Sequence, residues 1–240
     1  AYEISECLVG SEMCIRDRVM DTQEILSHVD HTLLKPTATW QQIECLCREA
    51  IEYKTASVCI PPCYIRRVKK AFGSEVAICT VIGFPLGYST TAAKVAEARE
   101  AAKDGADEID MVINISDAKN NDFDAIEKEI GAIREATQGK ILKVIIETCY
   151  LTREEKIAAC KAVSAAGADY IKTSTGFGTA GAVPEDIELF KEYIAPSVKI
   201  KAAGGIRSVA DMEAFLQAGA DRLGTSSAIS LIRGEQSKGY

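Results

Sequence analysis

A six-residue block occurs three times in this chain, and few folds accommodate such a repeat. Gly105-Ala106-Asp107-Glu108-Ile109-Asp110 matches Gly167-Ala168-Asp169-Tyr170-Ile171-Lys172 and Gly219-Ala220-Asp221-Arg222-Leu223-Gly224. Each copy follows an Ala-rich helical stretch and opens a β-like run. A glycine at the end of a helical run is the usual left-handed stop. Every copy therefore marks a helix handing over to a strand, and Asp110, Lys172 and Gly224 take one equivalent place in three units.

The rest of the chain continues that alternation. Strand-like runs lie at 27–31, 55–60, 75–82, 108–113, 141–147, around Lys172, at 198–203 and at 222–225. Between them, Thr39 with Gln42 and Thr152 with Glu155 have capping-box spacing at helix starts. Ile43, Leu46, Cys47, Ala50 and Ile51 share one helical face, as do Ile126, Ile130 and Ile133. Pro184 sits in a first turn, Ser208 caps the next helix, and Ser226 opens a short last one. Eight strands, each followed by a helix, fit one barrel or one doubly wound sheet. The repeat chooses between them. Its equivalent residues fall in strands four, six and eight, and a similar interval back from Gly105 reaches Lys54, which makes Cys59 the strand-two member. Alternate strands build one interior layer of a barrel. The expectation is α/β, a single-domain (β/α)8 TIM barrel, and 240 residues suit it.

Composition removes several functions. Lys and Arg number 28 against 35 Asp and Glu, a net charge of −7 with no basic block, so nucleic acid is not the expected partner. No apolar run reaches the ~20 residues that span a membrane. The nine cysteines are scattered without a CxxC, and the histidines are only His28 and His31, which offers no metal cage. An odd thiol count without a signal peptide points to reduced cysteines and a cytoplasmic protein. Residues 1–18 match neither a targeting signal nor the barrel pattern. They read as a non-native or disordered extension, with the barrel domain over 19–240 ending in a mobile tail.

The chemistry centres on lysine. Lys172 stands among β-formers in YIKTSTG, where burying an ammonium is costly unless it has work to do. Lys199 and Lys201 lie two apart in strand seven, hence on one face, and Lys201 can approach Lys172. A neighbouring cation and partial desolvation would free the Lys172 amine for attack on a carbonyl. Asp110 would balance the charge and act as acid and base, directly or through water. These three residues alone fit a buried ion-pair network equally well. The chain's end favours catalysis: Ala203-Gly204-Gly205 and Gly224-Thr225-Ser226-Ser227 follow strands seven and eight, where barrels commonly hold phosphate.

YIKTSTGFG (170–178), EIDMVIN (108–114), LKVIIET (142–148), KAAGGIR (201–207) and DHTLLKP (30–36) resemble the deoxyribose-phosphate aldolases, a class I aldolase family, across residues 20–240. That resemblance implies a barrel enzyme without cofactor or metal. It would cleave 2-deoxy-D-ribose 5-phosphate reversibly to D-glyceraldehyde 3-phosphate and acetaldehyde, in deoxyribonucleotide catabolism. Carried over residue by residue, Lys172 is the Schiff-base nucleophile, Lys201 its activating neighbour and Asp110 the acid/base. Gly204, Gly205, Ser226 and Ser227 match the phosphate-binding positions, with Thr175, Gly176 and Gly224 beside the substrate. Cys59 sits near the aldehyde in the family, although by itself it reads as a small core residue. Tyr240 matches a tail tyrosine that helps move the enamine proton, and the family suggests a homodimer. Phe177 stands where some longer relatives carry a lysine. Two further readings compete: another phosphosugar lyase or isomerase on the same barrel, and a phosphometabolite-binding barrel without turnover.

Overall fold

The structure, a computed structural model, describes residues 20–235. The expectations for residues 1–18 and for Tyr240 lie outside the described residues. Eight parallel strands close into a barrel in sequence order. They are β1 (Val29–Thr32), β2 (Ser57–Ile60), β3 (Ile78–Ile82), β4 (Glu108–Val112), β5 (Ile141–Ile145), β6 (Tyr170–Lys172), β7 (Lys199–Ala203) and β8 (Arg222–Thr225). The outer layer is α2 (Trp40–Glu52), α3 (Ile65–Phe72), α4 (Thr91–Asp104), α6 (Phe123–Ala136), α7 (Arg153–Ala165), α8 (Pro184–Tyr193), α9 (Val209–Ala218) and α10 (Ala228–Ile232). Two short helices, α1 (Thr22–Ser27) before the first strand and α5 (Ile115–Lys119) after the fourth, were not foreshadowed by the sequence. The second and third strands start later than their β-rich sequences suggest, because Lys54-Thr55 and Glu75 still close the preceding helices.

The helix starts follow the capping chemistry. Thr39 and Gln42, Thr152 and Glu155, and Ser208 and Asp211 all form reciprocal capping boxes. The last helix starts at Ala228, two residues later than expected, with no side-chain cap bond from Ser227.

The repeat has a structural meaning at each of its first three positions. Gly105, Gly167 and Gly219 have φ of 109°, 71° and 114°. The amide of each reaches back three residues, and the following alanine reaches back five: Ala106 to Ala101, Ala168 to Val163, Ala220 to Phe215. This paired bonding is a Schellman stop. The aspartate then clamps the neighbouring strand. Asp107, Asp169 and Asp221 accept the backbone N–H of Ile78, Leu142 and Ile200 on their side chains at 3.0, 2.7 and 2.8 Å. Their own amides donate to the carbonyls of the same three residues. Three strand pairs are thus tied at the N-terminal end of the barrel. The fourth unit, inferred from spacing, is real: Lys54 and Thr55 make the same stop, and Ala56 donates to Val29 at 2.9 Å.

Facing alternates along each strand. Ile109, Met111, Leu142, Val144, Ile171, Ile200, Ala202 and Leu223 join the apolar layer under the helices. The residues between them fill the barrel interior in three layers of four, the arrangement expected of such barrels. Ser57, Glu108, Tyr170 and Arg222 of the even strands form the lowest layer, with the Arg222 guanidinium 2.6 Å from Asp30, 3.2 Å from Glu108 and 5.6 Å over the Tyr170 ring. Asp30, Cys79, Lys143 and Lys201 of the odd strands form the middle layer, where Ser57 donates to Asp30 at 2.7 Å. Cys59, Asp110, Lys172 and Gly224 form the upper layer. Gly224 belongs there because an added Cβ would lie 3.1 Å from Lys201 Cε.

Lys54 occupies the glycine position of its unit with φ of 51°, a conformation that costs an L-residue with a side chain about 1 kcal/mol. Lys54→Gly is therefore expected to raise the unfolding free energy by up to about 1 kcal/mol. Urea denaturation that shows a loss of stability instead would refute the equivalence of this fourth unit.

Candidate active site

The upper and middle layers hold a network of buried charge. Asp110 is its centre. Its Oδ2 accepts from Lys172 and Lys201, each at 2.7 Å, and its Oδ1 accepts from Lys143 at 2.8 Å and from the Cys79 thiol at 3.1 Å. Lys201 also donates to Asp30 at 2.5 Å. Lys143 lies 2.5 Å from Glu108 and 3.5 Å from Asp30. Each position follows from register: Asp110 pairs with Lys143, and Lys172 pairs with Lys201. Lys199, on the same face of β7, stays exposed at the opposite end and takes no part.

Burial pushes the carboxyls of Asp110 and Asp30 upward, but the surrounding cations win and hold both well below the usual carboxylate range. For Asp110 those cations are Lys143, Lys172 and Lys201; for Asp30 they are Lys143, Lys201 and Arg222. Burial favours the neutral amine at Lys143 and Lys201, yet Asp110 and Asp30 hold both ammonium groups well above their ordinary value. Lys201 is therefore a fixed cation beside Lys172.

Access separates the lysines. Lys143 and Lys201 are wholly enclosed, whereas Lys172, 3% exposed, lines a cavity of about 570 Å³ at the C-terminal mouth of the barrel. Thr175, Gly176, Gly204, Gly205, Gly224, Ser226 and Ser227 line the same cavity. Sequence expectation and structure agree on bringing these seven together with Lys172. Gly181 explains how the loops after β6 and β7 meet: a Cβ there would fall 2.3 Å from the Gly204 carbonyl carbon. Gly204 and Gly205 both have left-handed backbone, with φ of 77° and 75°. The result is a wall of bare backbone, which lets N–H groups approach an anion.

Cys59 is not part of that wall. It packs with Leu34, Cys79 and Val81 beneath Phe84, so its sequence assignment to the substrate site gives way to a place in the interior layer. The thiols of Cys59 and Cys79 and a carboxylate oxygen of Asp110 lie within 4.8 Å of one another, as do donor atoms of Asp30, Cys79 and Glu108. Three lysine ammonium groups share that space, which makes both sets poor holders of a cation.

Several members went unread in the sequence. Asp30 and Lys143 were seen only as parts of motifs. Glu108, Tyr170 and Arg222 carried a signal, since each stands two residues before an equivalent repeat position and must share its face. Glu147, buried after β5, was likewise seen only as part of a motif.

Residues 24–231 match the DeoC/LacD family aldolases. A deoxyribose-phosphate aldolase of Clostridium botulinum is 63% identical over 221 residues, covering 92% of this chain and 100% of that protein. One from Clostridioides difficile is 56% identical over 218 residues, covering 91% and 100%. Among solved structures, a deoxyribose phosphate aldolase from Aeropyrum pernix, described as tetrameric, superposes with a TM-score of 0.84 at 32% identity, covering 89% of this chain and 92% of that one.

The charge network predicts a pH dependence of stability. The depressed carboxyls contribute fully above their unfolded value near pH 4 and lose that contribution as pH falls below it. The raised ammonium groups contribute fully below about pH 10.4 and lose it as pH rises further. Melting temperature should thus be flat from about pH 5 to about pH 9.5 and fall on both sides. Asp30→Asn leaves Lys201 and Arg222 undercompensated and should cost about 3 kcal/mol at neutral pH. Calorimetry should also show a shallower acid limb in that variant; an unchanged limb would contradict the assignment.

Proposed function

The chain belongs to the DeoC/LacD family of aldolases, and we propose that it acts as a deoxyribose-phosphate aldolase with Lys172 as the Schiff-base nucleophile. The reaction is the reversible cleavage of 2-deoxy-D-ribose 5-phosphate to D-glyceraldehyde 3-phosphate and acetaldehyde. One observation carries the choice of lysine: of the amines gathered on Asp110, Lys172 is the one that lines the cavity.

Charge balance supports it. The three interior layers hold Asp30, Glu108 and Asp110 against Lys143, Lys172, Lys201 and Arg222, three carboxylates against four basic groups. Lys143, Lys201 and Arg222 each touch two or more carboxylates, whereas Lys172 has only Asp110 among those three. Lys172 is thus the basic group least tied down by counter-charge, as suits an amine that must leave its ion pair to attack an aldehyde.

The steps follow from these places. The Lys172 amine adds to the aldehyde carbon of the open-chain sugar, and loss of water gives a protonated imine. That imine is an electron sink. A base takes the proton of the C3 hydroxyl, the C2–C3 bond breaks, and D-glyceraldehyde 3-phosphate departs. The enamine left on Lys172 takes a proton at carbon, and water then releases acetaldehyde. Asp110, hydrogen-bonded to both Lys172 and Lys201, is the group through which water relays these protons. Tyr240 supplies the enamine proton in this reading. Gly204, Gly205, Ser226 and Ser227 hold the phosphate, with Thr175 and Gly176 along the chain of the sugar. The activity is assigned to a cytoplasmic homodimer in deoxyribonucleotide catabolism.

An enolising isomerase on this barrel would need a carboxylate free to take a carbon-bound proton. The cavity instead presents the Lys172 amine, which favours the covalent route.

Incubation with acetaldehyde and borohydride, followed by peptide mass mapping, is expected to show a reduced two-carbon adduct on Lys172 that Lys172→Ala abolishes. Lys201→Leu should remain folded with turnover lowered at least about 100-fold, a loss typical of removing a group that supports proton transfer. An adduct on Lys201 would reverse the two roles, and no adduct in folded, phosphate-binding protein would end the aldolase reading.

A further inference from the structure

Glu147 is a buried carboxylate that the aldolase chemistry above leaves unused. It follows directly on β5, is 1% exposed, and holds φ of 52°, a left-handed backbone in a residue with a side chain. Such a conformation persists only where surrounding contacts enforce it. Its carboxylate is spent on one partner. The Thr175 backbone N–H lies 3.2 Å from each oxygen, and the Thr175 hydroxyl donates a short hydrogen bond to Oε2. The Cys149 thiol sits at 3.8 Å from Oε1. Thr175 Oγ1 in turn accepts from the Phe177 amide at 3.0 Å, which closes the turn.

The far side of that turn is fitted to the same carboxylate. At Gly178 an added Cβ would meet Cys149 Sγ at 2.8 Å and Glu147 Oε1 at 3.1 Å. Glu147 therefore fills the space beneath the loop at both ends, and Thr175, Gly176 and Gly178 line the cavity above Lys172. Burial pushes the carboxyl upward, and the Thr175 bonds and the Lys172 charge only partly pull it back. Burial alone would drive this carboxylate out toward water, so the hydrogen bonds from Thr175 are what keep it beneath the loop.

We propose that Glu147 is a positioning residue for substrate binding: it fixes the Thr175–Gly178 wall against which the phosphorylated sugar lies, without touching the substrate. This rests on the aldolase reading. It predicts a selective effect, because acetaldehyde needs only Lys172 and little of the wall, whereas the five-carbon phosphate ester spans it.

The test pairs two measurements on Glu147→Ala, Glu147→Gln, Thr175→Val and the Glu147→Ala/Thr175→Val double variant. The first is KM and kcat for 2-deoxy-D-ribose 5-phosphate cleavage; the second is the extent of acetaldehyde labelling by borohydride. Glu147→Ala should raise KM about tenfold, as for loss of one or two buried hydrogen bonds, with kcat less affected. Glu147→Gln, which keeps an acceptor for the Thr175 amide, should recover much of that loss. The double variant should show a KM close to that of Glu147→Ala alone, because both substitutions break the same contact. Acetaldehyde labelling of Lys172 should stay at the wild-type level in Glu147→Ala and Glu147→Gln.

An unchanged KM in Glu147→Ala would overturn the proposal, and so would additive effects in the double variant. Loss of labelling in folded Glu147→Ala, while wild type labels, would move Glu147 into the chemistry itself and also overturn it. Where Glu147→Ala does not fold, the same comparison rests on Glu147→Gln and Thr175→Val, and wild-type KM in both overturns the proposal. A wild type that fails to label condemns the aldolase reading instead, so the two failures are distinct.

Discussion

Everything at the mouth of this barrel depends on one carboxylate being asked to serve three amines. Asp110 is fully buried, and its oxygens are committed to Lys143, Lys172 and Lys201. An isolated ion in that place would be prohibitively costly. A single pair would scarcely repay its own desolvation. A cluster does better, since each charge is compensated by several others and every acceptor is filled. Its price is rigidity, and rigidity is what a nucleophile held at a fixed angle to its substrate requires.

The fold makes that cluster reproducible by using the same short block three times over. Its third residue, aspartate, ties neighbouring strands at the bottom of the barrel. Its sixth residue points into the upper layer, five residues after the glycine that stops the helix. Because facing is set by a period of two, fixing the stop and the clamp also fixes which side chains enter the lumen. A slip of one residue would exchange Lys172 with Ile171 and put an aliphatic group at the cavity floor. Strand β6 is only Tyr170–Lys172, so its own ladder is too short to set register unaided. Its neighbours and the Asp169 clamp do so.

The same logic explains what could be read in advance. Helix stops, capping boxes and the repeat are local, and they were legible together with the barrel and the Asp110, Lys172 and Gly224 layer. Lys54 as a glycine surrogate was legible too, because spacing alone placed it. Asp30 was not, since a single aspartate between Val29 and His31 carries no periodic mark; only the closure of β1 onto β8 brings it to Lys201 and Arg222. Cys59 was placed correctly in its layer and wrongly at the substrate. Its layer follows from strand facing, whereas access depends on Leu34, Val81 and Phe84 arriving from other elements. The roles first assigned to the lysine pair also needed the third dimension. Proximity of two cations suggests mutual weakening, yet Lys201 is bound by two carboxylates and stays charged, whereas Lys172 is held by Asp110 alone and meets the cavity.

The two ends of the site are built from opposite materials for a physical reason. The floor must hold charges whose positions decide reactivity, so it is made of strand residues locked by register and salt bridges. The walls must meet backbone to backbone and bend around a ligand, so they are made of glycines: Gly181 against Gly204, and Gly178 against Glu147. Glycine removes side-chain obstruction but gives the chain more conformations to lose. Something outside the loop must then limit that freedom. For the β7 loop it is the Ala182 amide bonded to the carbonyls of Ala203 and Gly204 at 3.1 and 3.2 Å. For the β6 loop it is the strained, buried Glu147, whose left-handed backbone lets its carboxylate turn under Thr175. A permissive loop and a constrained anchor are complementary parts of one wall, and neither would hold the cavity open in a defined shape alone.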